Sequence, residues 1–410
     1  MEKFEGREKF LLATFFSAWI VYAIFLSLYG SEATVMMGFL GINTTQQGFL
    51  STIQGIGGLG VAMLCVFLGE RMSKLWMIGF GIALLSAGSL ATVFGVDFIQ
   101  VTMFALVAGI GYTFMDIMEN AAAVEIFPKK TKTVLPTLHM TFGIGAVIGP
   151  FFATWIVDPN VLSSFTRPFL VVAIAGFAVL ALFIVAARRM TAGQKTQEKV
   201  KAVQTKNPGS IFKYPAAWVM LAAGILYFSF QRGLMSWYPT YLIDSANVSF
   251  QLSGLILTLF FVGSLAARIA SPFLFNRFSI LKLCVLLTAL SGVCMIASIA
   301  LAPLFVNVAV GLVIAGGVLQ GAFVASFVFL ICEMFPGKAA SASGVVMISI
   351  NLGGITAPLW MGWMAGQIGF TLPLYIIFAM LIGSVGLVAL AHRMNKNKQT
   401  AEIARECPEI

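Results

Sequence analysis

The sequence predicts an all-α polytopic membrane protein of twelve transmembrane helices, arranged as two six-helix bundles related by a pseudo-twofold axis. Three observations predict it. Of 410 residues, 59% are hydrophobic and 10% charged, with a mean hydropathy of +0.95, well outside the range of water-soluble chains. A window of about 20 residues, the length that crosses a bilayer, finds twelve apolar stretches. Landmarks in the first six stretches recur in the last six at nearly one spacing.

In order, the spans are expected near 10–31, 48–69, 75–96, 98–125, 134–157 and 168–188, then near 216–243, 252–275, 280–302, 304–332, 341–367 and 371–392. The weakest break lies between the ninth and tenth, where Ala302, Pro303 and Asn307 alone interrupt the apolar run. The opening Met1–Lys9 carries three acids and three bases and leads into an apolar stretch too long for a cleaved signal, so it is read as a retained first span. Arg188 to Lys213 is rich in Lys, Gln and Thr and contains Asn207-Pro208-Gly209. Such a segment buries little apolar surface and reads as a connection. The expected division is therefore 1–187 as the first bundle, 188–215 as the linker, 216–392 as the second bundle and 393–410 as a tail.

Lys and Arg set the orientation. One side collects Lys3, Arg7, Lys9, Arg71, Lys74, Lys129, Lys130, Lys132, the linker, Arg277, Lys282, Lys338, Arg393, Lys396 and Lys398. Beyond Arg167, the other side has Asp97, Asp158 and Asp244 instead. Both termini and the linker are expected in the cytoplasm, which requires an even number of spans in a plasma (cytoplasmic) membrane. The net charge of +9 is then the positive-inside bias, and no nucleic-acid partner is expected. The five cysteines, Cys65, Cys284, Cys294, Cys332 and Cys407, are odd in number and show no metal spacing. No metal or cofactor is expected, and no nucleophile–base constellation suggests an enzyme. A monomer in the lipid bilayer is expected.

The repeat is specific. Val124-Glu125-Ile126-Phe127-Pro128 ends the fourth span and Cys332-Glu333-Met334-Phe335-Pro336 ends the tenth. The following spans carry Gly145 to Pro150 and Gly353 to Pro358 at the same offset. Glu70-Arg71 and Asn276-Arg277 each follow the second span of their half. Parallel six-span repeats are a transporter architecture.

The fourth span holds the chemistry. Within Gly109-Ile-Gly-Tyr-Thr-Phe-Met-Asp-Ile-Met-Glu-Asn120, three polar side chains, Asp116, Glu119 and Asn120, sit at hydrocarbon depth. At about 100° per residue, Glu119 and Asn120 flank Asp116 one turn deeper. Two carboxylates this close in a low dielectric are not expected both to be ionised, which suits a proton carrier. A polar cluster that merely anchors the helix is the plainer alternative.

Leu68-Gly-Glu70-Arg71-Met-Ser73-Lys74 resembles the loop between the second and third spans of the major facilitator superfamily. The resemblance implies that Glu70, Arg71 and Lys74, with Asn276 and Arg277 of the repeat, latch one conformation at the cytoplasmic face. Gly109-x-Gly111, Asp116-x-x-x-Asn120, the fifth-span run from Leu138-His139 to Pro150, and the seventh-span run Tyr227 to Leu242 resemble the fucose–proton symporter family. Gln231 stands where relatives carry a Glu, and the first span lacks the acid of the fucose carrier itself. Gly145-x-x-x-Gly149-Pro150 is also similar to the fifth-span motif of drug–proton antiporters, although close helix packing explains it too. Gln54-Gly-Ile-Gly-Gly-Leu-Gly60 is a small-residue packing face, since no strand precedes it.

The expectation is proton-coupled symport of a small polar solute, a sugar or a small organic acid, by alternating access. Asp116 and Glu119 would carry the proton, with Glu32 next in line. Asn120, Gln231, Arg232, Trp237, His139 and Asn351 would contact solute, with Gln54 and Gln320 as weaker candidates. Arg232 is read as the one basic residue near the midplane, paired with a fourth-span acid or with an anionic solute group. The alternative is a proton-driven antiporter that exports drugs or amphipathic metabolites, which the 37 Phe and 20 Met would suit. A cysteine placed at Lys199 should resist an impermeant thiol reagent added to intact cells. Efficient labelling from outside would reverse the orientation.

Overall fold

The computed structural model describes residues 4–68, 73–128, 130–193, 211–336 and 338–406. Among them are α1 (Gly6–Ser31), α2 (Ala33–Leu40), α3 (Thr44–Leu68), α4 (Lys74–Val93), α5 (Phe98–Ile126), α6 (Thr131–Ile156) and α7 (Thr166–Gly193). These are followed by α8 (Pro215–Asp244), α9 (Phe250–Phe275), α10 (Ile280–Leu301), α11 (Val306–Gln320), α12 (Phe323–Met334), α13 (Ala339–Ile368) and α14 (Thr371–Glu406). Apolar chain in a bilayer must satisfy its backbone internally, which leaves helices as the available solution. Asp97 starts α5 by accepting the Gln100 amide at 2.9 Å, and the Gln100 side chain accepts the Val96 amide at 3.2 Å in return.

Eleven stretches are long and apolar enough to cross a membrane, with α11 and α12 together forming one of them, Val306–Met334. The 30-residue α8 supplies the twelfth. Its polar Ser229, Gln231, Arg232 and Ser236 lower its mean hydropathy without interrupting the helix. The weak break before the tenth span is a clean one, with four residues between Leu301 and Val306. One span is divided instead, the tenth, at Gly321-Ala322 between α11 and α12. The first crosses as one helix to Ser31, and the short α2 follows Glu32. Broken helices at membrane depth mark binding sites in transporters.

The chain forms two compact units. The first comprises Met1–Val200, Met235–Phe261 and Pro358–Phe370; the second comprises Lys201–Leu234, Val262–Ala357 and Thr371–Ile410. In the first, α5 is gripped between α3 and α4. A Cβ on Gly109 would lie 2.6 Å from the Gln54 Cα on α3, and one on Gly111 would lie 2.7 Å from the Gly81 carbonyl on α4. Only glycine permits both approaches, and this double contact fixes the rotation of α5 about its axis. In the second unit, α10 packs on α11 and α14, and Ser291 Oγ donates to the Gly316 carbonyl at 2.8 Å.

The first unit also explains why it contains pieces of α8, α9 and α13. At the end of α1 away from the N-terminus, Gly30 lies against the backbone of Met235 and Ser236 on α8. Thr44 Oγ1 donates to the Gly362 carbonyl at 2.7 Å, and Trp237 Nε1 donates to the Pro358 carbonyl at 2.9 Å. The Phe151 amide and the Thr258 hydroxyl join α6 to α9 at 3.1 Å, and that hydroxyl donates onward to the Val147 carbonyl at 3.0 Å. These contacts close the Lys- and Arg-poor end of the first unit. Gly30→Val would press on backbone, which has no rotamer to yield. It should lower the unfolding midpoint by the equivalent of about 1–3 kcal/mol. Gly60→Val, where an added Cβ meets nothing within 4 Å, should not. Equal effects at the two positions would contradict the closure.

Candidate functional site

Residues Asp116, Glu119 and Asn120 meet on one face of α5, as their spacing requires. Asn120 Nδ2 donates to Asp116 Oδ1 at 2.8 Å and to the Asp116 carbonyl at 2.8 Å. Asp116 and Asn120 are half-buried, whereas Glu119 is 0% exposed. Neither Glu119 oxygen accepts a hydrogen bond from the described residues. The Asp116 carboxylate acts on Glu119 electrostatically, and the Trp19 indole N–H on α1 lies beside it without completing a bond. A carboxyl so placed is tolerated when neutral or when a cation reaches it, and it is costly otherwise. The arrangement can hold and release a proton.

Aromatic rings of α1, α5 and α6 pack together on the Trp19 side of Glu119. Trp19 meets His139 of α6 edge-on at 5.0 Å, and Tyr22 stacks on Tyr112 at 4.6 Å. His139 itself is exposed, beside Phe142, whose ring lies 5.5 Å from Tyr22. The fifth-span glycines seat α6 on α1: Gly145 faces Ala23, and Gly149 faces Ser27. Nearer the closed end, Glu32 between α1 and α2 is 0% exposed, and neither of its oxygens has a hydrogen-bond partner among the described residues. Gln47 Nε2 donates to the Tyr29 carbonyl at 2.7 Å beside it. Gln54 is buried on α3 and donates to the Leu50 carbonyl at 3.0 Å.

Trp237 is 1% exposed, stacks at 5.2 Å on Phe370 and gives its N–H to Pro358. In this conformation it belongs to the closure rather than to an open surface. Gln231 and Arg232 lie half-buried on α8 in the second unit. A Cβ on Gly354 of α13 would lie 3.4 Å from Arg232 Cγ. Arg232 has no carboxylate partner within that unit among the described residues. Asn351 Nδ2 turns back onto its own helix, donating to the Met347 carbonyl at 2.9 Å.

A further basic residue lies within the spans, away from the midplane: Arg268, near the end of the crossing stretch Phe250–Ser271 of α9, is half-buried, with a buried Nε that has no partner among the described residues. A lone Arg in an otherwise apolar window was the available signal. Hydropathy averaging over that window hides it.

For the expected latch, Glu70 and Arg71 lie outside the described residues. Lys74 is ion-paired with Glu125 at the end of α5, and Lys130 with Glu8 at 2.8 Å. The first pair is largely exposed and the second is 15% and 20% exposed, so the second is the less screened. Asn276 and Arg277 are exposed in the turn after α9, and Arg277 has no ion pair among the described residues. No group of three His, Cys, Asp or Glu among the described residues is arranged to hold a metal ion.

A sequence profile of the Major Facilitator Superfamily matches residues 10–317. Uncharacterized MFS-type transporter YfkL of Bacillus subtilis (strain 168) is 22% identical over 300 residues, which covers 72% of this chain and 74% of the relative. Among solved structures, a bacterial homologue of the human lysosomal transporter Spinster, inward-facing and occupied, superposes with a TM-score of 0.73 at 12% identity, over 97% of this chain and 98% of that one. The nucleoside transporter NupG has a TM-score of 0.68 at 15% identity, over 95% and 99%. A D-xylose-proton symporter has a TM-score of 0.70 at 13% identity, over 92% and 96%. At these identities, the structures speak for the fold alone.

Trp237→Phe keeps the ring on Phe370 and leaves the Pro358 carbonyl without its donor. It should lower stability by about 1–3 kcal/mol, read as a lower unfolding midpoint, while solute affinity stays within a few-fold. A selective loss of affinity at normal stability would make Trp237 a solute contact.

Proposed function

The chain belongs to the major facilitator superfamily and is a membrane transporter rather than an enzyme, and from that membership we propose that it carries a small polar solute together with a proton. The solute is a sugar or a small organic acid, and transport proceeds by alternating access. The observation that supports this most is the α5 pair: Glu119 is fully buried without a hydrogen-bond partner, one turn from Asp116, which Asn120 holds at 2.8 Å. Intramembrane acids without structural counter-ions are expensive and mark ion or proton pathways. In this reading, Asp116 takes up and releases the transported proton, and Glu119 sets its field. Asn120, Gln231 and Arg232 contact the solute. The protein works in the cytoplasmic membrane with both termini inside.

Support also comes from the resemblance of the fourth, fifth and seventh spans to fucose–proton symporters, and from similarity in fold to a structure named as a D-xylose-proton symporter. Proteoliposomes given a pH gradient, acid outside, should accumulate the solute above its external concentration. Gradient-driven loss would instead favour export. Asp116→Asn preserves shape and hydrogen bonding and removes titration. It should abolish gradient-driven accumulation while solute exchange at equal pH stays within about threefold of the native rate, since each 1.4 kcal/mol is tenfold. Accumulation that persists in Asp116→Asn would move the proton to Glu119 or Glu32.

A further inference from the structure

The second unit contains a buried hydrogen-bond chain with an excess of donors. Tyr227 Oη on α8 donates to Gln320 Oε1 at 2.5 Å, and Gln320 Nε2 donates to Ser264 Oγ on α9 at 2.9 Å. All three residues are buried, at 0%, 1% and 2% exposure. The chain ends there, because the Ser264 hydroxyl makes no onward bond among the described residues. One helical turn further along α9, on the same face, stands Arg268. Its buried Nε has no acceptor among the described residues. The serine proton and this guanidinium N–H are thus both without an acceptor among the described residues.

The surrounding fold keeps this cluster in place. Gln320 is the last residue of α11, at the break in the tenth span. A Cβ on Gly321 would lie 2.7 Å from the Ala267 Cβ and would meet the Ser264 carbonyl, so glycine is what seats the break against Arg268's turn of α9. After the break, α12 begins at Phe323 with no side-chain cap. Phe323 stacks on Tyr227 at 3.8 Å and on Phe327 at 5.5 Å, forming an aromatic wall. Among the described residues, Glu333, exposed near the end of α12, is the one acid in the crossing stretches of this unit.

We propose that Arg268, Ser264, Gln320 and Tyr227 form a subsite for the carboxylate of a small organic acid, whose apolar or hydroxylated body lies against Tyr227 and Phe323. A planar guanidinium offers two parallel N–H donors, which a carboxylate matches. This rests on the symport reading and narrows its solute to an acid. A carboxylate entering with a proton would cross as a neutral pair, so the acid sites of the first unit and the base of the second would serve one cargo.

Binding is tested on the purified full-length protein in detergent at one pH, with no gradient. The probes are gluconate and benzoate, against the neutral glucose and benzyl alcohol. At least one carboxylate should bind the native protein and not its neutral counterpart. Arg268→Gln should weaken that binding by about tenfold or more, and Arg268→Lys and Tyr227→Phe by less. If Arg268→Gln does not fold, Arg268→Lys decides, because loss of the two-pronged donor should still weaken binding several-fold. Native-like carboxylate binding in the folded variants would overturn the subsite, as would equal binding of the neutral counterparts or no binding of either carboxylate. Carboxylate binding that depends on Arg268, in a protein that shows no gradient-driven accumulation, would keep the subsite and overturn the symport reading alone.

Discussion

A carboxyl group buried without a cation is the constraint on which this structure turns. Glu119 on α5 is 0% exposed and receives no hydrogen bond from the described residues, although the Trp19 indole of α1 is beside it. A packing role would be served better by an amide or an aliphatic side chain, since a paired or neutral replacement removes the desolvation cost. Retaining an acid there is what the proposed proton coupling calls for. The glycines at 109 and 111 are the structural consequence. They let α5 approach α3 and α4 closely enough that its rotation is fixed, so the face bearing Asp116, Glu119 and Asn120 cannot turn to lipid.

The buried and half-buried acids Glu32, Asp116 and Glu119 belong to the first unit, and the half-buried Arg232 and Arg268 to the second, where Glu333 is exposed. Neither unit neutralises its own interior charge among the described residues. A protein that needed only stability would place an acid and a base on adjacent helices of one bundle, where pairing is permanent. Segregation leaves each set available to mobile partners, a proton for the acids and an anionic group for the bases.

Much of the fold was legible because bilayer thickness and backbone satisfaction permit few alternatives. Apolar stretches of about 20 residues became helices, and the acid triad on α5 lies as its spacing implied. What was not legible depends on tertiary contact or on averaging. The break at Gly321 sits inside a continuous apolar run, so hydropathy passes over it. Arg268 is diluted by its neighbours in the same way. Lys74 meets Glu125 across 51 residues of chain, and no local pattern announces that pairing. Trp237 is singled out within the seventh-span resemblance. No local pattern announces that its N–H is given to Pro358, a residue more than a hundred positions away. The seventh span is read from its apolar window near 216–243, although Gln231 and Arg232 make α8 more polar than the other eleven crossing stretches.

Proton movement itself tests the central claim most directly. Proteoliposomes in a lightly buffered medium, with no imposed gradient, would be given solute while a pH electrode follows the outside. The account predicts an alkaline shift that tracks solute entry and disappears when Asp116 and Glu119 are replaced together by Asn and Gln. Solute entry at the native rate with no change in external pH would contradict it.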